Sequence, residues 1–168
     1  MVTVACITVL VVVFAWSSAS KLTAAGFGAL RSMLAQLRLR RVATPVGVAI
    51  VGTEISVVVL LLYPPPVAIG AMMATVVMVI LAAGVASLLR RGLAVRCACF
   101  GRNMVVLNPW HLARNIVLLM VSMAVLMATW TTAAVSVSLA DLAVAVVIGA
   151  VLALILVRIE DVAYLVQV

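Results

Sequence analysis

Apolar residues run along this chain in long stretches with no polar face, rather than alternating or recurring once per helical turn. Five stretches approach the ~20 residues that carry a helix across a bilayer. They run from about Val2 to Ser20, Pro45 to Tyr63, Val67 to Leu89, Trp110 to Trp130 and Leu139 to Val157. A helix is predicted for each because a segment in lipid must satisfy its own backbone N–H and C=O groups; periodicity cannot decide where every face is apolar. Pro64-Pro65-Pro66 and Asn108-Pro109 mark ends, and the rings of Tyr63, Trp110 and Trp130 suit the interfacial band.

Between the first two stretches the pattern changes. Phe27, Leu30, Met33, Leu34 and Leu37 recur at helical spacing, with Arg31, Arg38 and Arg41 between them. That suits a helix over 22–41 lying in the interface, its apolar face partly buried and its charges drawn to anionic lipid. A basic loop that only fixes topology fits the same charges. No internal repeat, low-complexity tract or soluble domain is visible, so residues 1–168 read as one membrane domain. The predicted fold is all-α: a polytopic transmembrane helix bundle of four to five spans plus an interfacial amphipathic helix.

Composition excludes the soluble alternative. Of 168 residues, 68% are hydrophobic and 9% charged, with a mean hydropathy of +1.45, whereas a soluble domain keeps roughly a quarter of its residues charged. The net charge of +7 raises the question of nucleic acid, but its distribution argues for lipid. Lys21, Arg31, Arg38, Arg40 and Arg41 fall in one connection and Arg90, Arg91, Arg96 and Arg102 in another, both poor in the interleaved aromatics that nucleic-acid binding uses. Basic connections alternating with uncharged ones follow the positive-inside rule in a cell membrane. The rule puts both basic connections and the C-terminus in the cytoplasm, and the N-terminus, the Pro64–Pro66 turn and the Thr131–Ser138 segment outside. Ser17-Ser18-Ala19-Ser20 resembles a cleavage site, but no basic n-region precedes the first stretch, which favours a retained span.

Few residues can carry chemistry. There is one histidine, no paired carboxylate in a span and no phosphate-binding glycine loop. The chief candidate is Cys97-Ala98-Cys99-Phe100-Gly101, flanked by Arg96 and Arg102. Two cysteines one residue apart close a disulfide if the backbone turns, because their α-carbons then fall within the roughly 4.4–6.8 Å window. Gly101 supplies freedom for such a turn. A small strained ring is more easily reduced than a structural disulfide, and the arginines favour the thiolate. Cysteines that merely lie close, or are S-acylated beside a helix end, fit the same sequence. Two thiolates and His111 make only three ligands where structural zinc has four, so no metal site is assigned; His111 reads as a helix-start residue. Cys6, at the far end of the first span, is separated from the pair by the ~30 Å hydrocarbon core and reads as a small apolar residue.

Glu54 is the other anomaly, a carboxylate well inside the second span. It costs several kcal/mol there unless protonated or paired, so it should face the bundle interior. Lys21, at the end of the first span, and Arg114, early in the fourth, are the available cations. Glu54 would serve as a structural polar tie between helices, or as a proton relay or a group near a redox partner.

Ser20-Lys21-Leu22, Glu54, Cys97-x-Cys99-Phe100-Gly101 and Arg114-Asn115, in that order, resemble the methylamine utilisation protein MauE family, grouped with DoxX-like small membrane proteins. The resemblance covers most of the chain and implies a multi-pass membrane protein associated with thiol redox or maturation of exported proteins. In the namesake system the matured protein is the disulfide-rich small subunit of methylamine dehydrogenase; action on methylamine by this chain is not implied. Exported proteins acquire disulfides outside the cytoplasm, yet the arginines place Cys97 and Cys99 inside. Either the pair exchanges with cytoplasmic thiols and passes electrons across, or the motif folds back into the bundle, or the arginines mislead.

The expected function is therefore a membrane thiol-disulfide oxidoreductase or redox accessory protein. One of Cys97 and Cys99 attacks a partner disulfide and the other resolves it. Glu54 and Arg114, with Lys21, Asn115, Phe100 and Gly101, are supporting residues. The competing class is a non-enzymatic assembly factor or small subunit that binds another membrane protein. A small-solute transporter is a third, resting on Glu54 alone. No cofactor is evident; such a bundle has room for a quinone, but no residue pattern is specific to one. Expected partners are the bilayer and a protein client, not nucleic acid.

Overall fold

The computed structural model describes residues 1–63, 67–92, 109–131 and 138–166, with side chains as far as Arg158. Every regular element among them is a helix: α1 (Val2–Lys21), α2 (Ala24–Leu34), a π-turn (Ala35–Leu39), a 3-10 turn (Arg40–Val42), α3 (Ala43–Leu62), α4 (Val67–Arg90), α5 (Pro109–Thr131) and α6 (Leu139–Val166). Five apolar helical stretches are long enough to cross a membrane. Their observed ends lie within about two residues of the expected ones, except that α6 continues nine residues past Val157 to Val166.

Local chemistry explains the ends. Thr23 caps α2 by accepting a hydrogen bond from the Gly26 amide, and Ser138 caps α6 by accepting from the Asp141 amide while its hydroxyl donates to the Asp141 carboxylate. Pro109 opens α5, where a missing N–H costs nothing. Inside the helices, hydroxyls turn back on their own backbone, as Ser18 does to the Phe14 carbonyl at 2.6 Å and Thr75 to that of Ala71 at 2.8 Å. Such bonds let polar residues sit where no water competes.

Helix α1 packs against α3 and α5, α3 against α4, and α4 against α5, so these four close into a ring. Helix α6 lies along α1 and barely touches α5. The ring is filled by Leu10, Val13, Phe14, Val57, Met78, Leu88, Leu118 and Val125, all buried. Close approaches set the register. Gly70 sits against the backbone of Leu60 and Leu61 where α3 hands over to α4, and Thr75 of α4 donates to Ser122 of α5 at 3.2 Å. Between membrane helices, van der Waals packing and such polar ties replace the hydrophobic drive.

The segment expected to form one interfacial helix over 22–41 is built differently. It is α-helical to Leu34 and then passes into the π-turn and the 3-10 turn, and its apolar face packs on protein: Leu30 and Leu34 form a buried cluster with Ala43 and Val51, and the Phe27 ring lies against Gly47. The helix breaks at Arg38, whose φ of 67° and ψ of 14° are left-handed. For a residue with a Cβ that conformation costs roughly 1–2 kcal/mol.

Successive spanning helices reverse direction, so the cations collect at one end of the bundle. Lys21 closes α1, Arg31, Arg38, Arg40 and Arg41 follow it, Arg90 and Arg91 end α4, and Arg114 lies early in α5. Asp141 lies at the opposite end, in the first turn of α6.

A Cβ on Gly149 would stand 2.6 Å from the Ala5 carbonyl oxygen and 2.7 Å from the Thr8 Cβ, whereas one on Gly52 would meet nothing within 4 Å. Gly149→Leu is therefore expected to lower stability in detergent by about 1–3 kcal/mol through overpacking between α1 and α6. Gly52→Leu should be close to neutral, as thermal unfolding of the two variants side by side will show.

Candidate functional site

Each helix of the ring presents an inward stripe; that of α4 is apolar throughout, whereas those of α1, α3 and α5 carry polar residues. On α1 the buried residues are Val9, Leu10, Val13 and Phe14, then Ser17, Ser18 and Lys21. On α5, running the other way, His111, Arg114 and Asn115 come first, followed by Leu118, Ser122 and Val125. Because α1 ends and α5 begins at the basic end, the polar residues of both helices share that half of the interior. Helix α3 contributes Glu54, between Val51 and Val57 on its own buried stripe.

At the centre is an ion pair. Lys21 Nζ lies 2.5 Å from Glu54 Oε1, with both side chains 1% exposed. Ser17 is one turn before Lys21 and so on the same face. Its hydroxyl accepts from Lys21 Nζ at 2.5 Å and donates to Glu54 Oε1 at 3.1 Å. Each charge alone would cost several kcal/mol in this interior; pairing plus the shared hydroxyl offsets that. Glu54 Oε1 thus takes two hydrogen bonds, while Oε2 is buried with no partner among the described residues.

The pair also explains how α2 is placed. Glu54 lies eleven residues into α3, counting from Ala43, or about 16 Å along its axis at 1.5 Å per residue. Lys21 is the last residue of α1. The end of α1 is therefore held at a level that α3 reaches only past its midpoint, and α2 lies against the first half of α3, filling the depth that α1 leaves.

Of the residues singled out from sequence, Lys21, Glu54, Arg114 and Asn115 are all buried, the last two at 3% and 2% exposure. Of the two cations available to Glu54, Lys21 makes the salt bridge. Arg114 and Asn115 lie on the stripe that α5 turns inward, in the same half. Cys97, Cys99, Phe100 and Gly101 lie outside the described residues. Sequence reasoning missed Ser17, which it read only within a cleavage-site look-alike; its i−4 spacing from Lys21 is the signal that identifies it. His111 does start a helix, as expected, but is buried. Cys6 is half-buried against the apolar core, and no disulfide joins it to another described residue.

Chemically, the arrangement offers a buried carboxylate with one oxygen committed to a lysine and a serine and the other open among the described groups. Such a group can take a proton or a hydrogen bond from a neighbour. The cations gathered at this end favour the anionic form of a thiol brought near them.

Neither the curated proteins nor the solved structures give a match. Residues 1–131 match the family model described as "Methylamine utilisation protein MauE". The matched stretch takes in α1 through α5, hence the whole four-helix ring and every polar residue buried within it, and the chain belongs to the MauE family.

Proposed function

We propose that this multi-pass membrane protein is a thiol-redox protein that supports disulfide formation or maturation of a partner protein through Cys97 and Cys99. The observation that carries the reading is the buried Lys21–Ser17–Glu54 network in the ring interior, about 16 Å along α3 from its basic end. A bundle that needed only a helix tie would be served as well by apolar packing, which often equals or exceeds a buried ion pair in stability. A carboxylate with an open oxygen instead suits a reaction that moves protons.

Thiol–disulfide exchange is such a reaction. One thiolate of the pair attacks a partner disulfide, the partner's sulfur leaves as thiolate, and the second cysteine, losing its proton, resolves the mixed disulfide. The chain's dithiol becomes a disulfide as the partner's disulfide becomes a dithiol; run in reverse, the same exchange oxidises the partner. Glu54 takes the proton of the resolving thiol, Lys21 and Ser17 hold the carboxylate in place, and Arg114 with Asn115 steadies the anionic sulfur. The positive-inside rule assigns the basic end to the cytoplasm of a plasma-membrane protein, with the N-terminus outside.

Replacing Cys97 or Cys99 singly by Ser is expected to trap a mixed disulfide with the client in one of the two variants, seen on a non-reducing gel and lost on reduction. The double Ser variant should trap none and lose function in cells; full function in that variant would instead assign the protein as an assembly factor. Labelling Cys97 and Cys99 with a membrane-impermeant maleimide should require opened cells.

The ion pair separates structure from chemistry. Glu54→Gln leaves Lys21 buried without its counter-charge and is expected to cost about 3–5 kcal/mol of stability. The double replacement Lys21→Met with Glu54→Met should restore most of that, as read from thermal unfolding. Exchange rates should stay depressed in the double variant; recovery of both properties together would reduce the pair to a helix tie.

A further inference from the structure

A cleft of about 600 Å³ opens between the π-turn, α3 and α4, lined by Leu37, Leu39, Ala49, Met72, Val76 and Gly84 among other apolar residues. The polar side chain in its wall, Thr53, spends its hydroxyl on the Ile50 carbonyl at 2.8 Å. From Met72 to Gly84 the α4 wall spans twelve residues, or about 18 Å, close to the ~15 Å of hydrocarbon in one leaflet. Thr53 lies near the middle of α3, and Met72 lies five residues inside the far end of α4, so the cleft reaches past the midplane. The other end, at Leu39 and Gly84, opens toward the exposed guanidinium-bearing residues Arg38, Arg40 and Arg41, with Arg90 and Arg91 about two turns past Gly84.

We infer that this cleft holds one acyl chain of an anionic phospholipid, whose phosphate is met by the arginines at its mouth. Three features select that occupant. The cleft is about 18 Å long, which suits an extended acyl chain, has no free polar group in its wall among the described residues, and is positively charged only at its mouth. Arg38 adds a fourth. It stands between the lining residues Leu37 and Leu39, in a left-handed conformation that favours glycine, yet the position carries a charged side chain exposed at the mouth. The proposal stands apart from the thiol chemistry, because none of the residues assigned to that chemistry lines the cleft.

The test is native mass spectrometry of the full chain, purified in detergent and titrated with phosphatidylglycerol or with phosphatidylcholine of identical acyl chains. A single phosphatidylglycerol is expected to be retained, and phosphatidylcholine to bind several-fold more weakly. Arg38→Gly suits the left-handed turn and removes the side chain with its charge. It should weaken phosphatidylglycerol about fivefold, the scale of one arginine at an anionic surface, whereas Arg38→Lys should largely keep it. Ala49→Phe, on an exposed position of α3, should fill the cleft and abolish retention of both lipids while circular dichroism stays unchanged. Equal retention of the two lipids would overturn the inference, as would unaltered retention in Ala49→Phe or full displacement by soluble glycerol phosphate.

Discussion

The bilayer offers no water to a polar group, so each one in this chain has to find its partner inside the protein. The serines and threonines of the spanning helices largely meet that demand from their own backbone. Lys21 and Glu54 cannot, and they find each other across α1 and α3. Their pairing fixes how far α1 descends beside α3 and leaves a gap for α2 to fill. The closed ring, its polar half and the cleft beside α2 all depend on that one register.

Much of this was legible in the sequence because membrane helices are read from length and composition, and both are extreme here. Glu54 facing inward followed from cost alone, since an unpaired carboxylate has no tolerable place on a lipid-facing surface. The choice of Lys21 over Arg114 did not follow, because it turns on the relative depth of two helices, which residue spacing along one chain does not encode. The break at Arg38 was hidden for another reason. Neither glycine nor proline marks it, and the left-handed residue is held there by the packing of α2 and α3 rather than by local preference. The amphipathic pattern of 22–41 was real, but an apolar helical face does not say whether lipid or protein will cover it.

Family membership and geometry bear on different parts of the molecule. The family match ends at Thr131, where α5 ends, and α6 lies beyond it. The packing shows the same division. Helix α6 rests mainly on α1, through the close approach of Gly149 to Ala5 and Thr8, and barely touches α5. The buried Lys21–Ser17–Glu54 network and the polar stripe of α5 therefore both fall within the matched stretch.

The two halves of the bundle also divide the labour of charge. Away from the basic end the ring interior is filled mainly by Leu10, Val57, Met78 and Val125, with the Thr75–Ser122 tie among them. At the basic end the buried Lys21, Glu54 and Arg114 lie within a few turns of exposed arginines. The buried charge of the bundle is thus asymmetric, lying with its exposed arginines toward one surface.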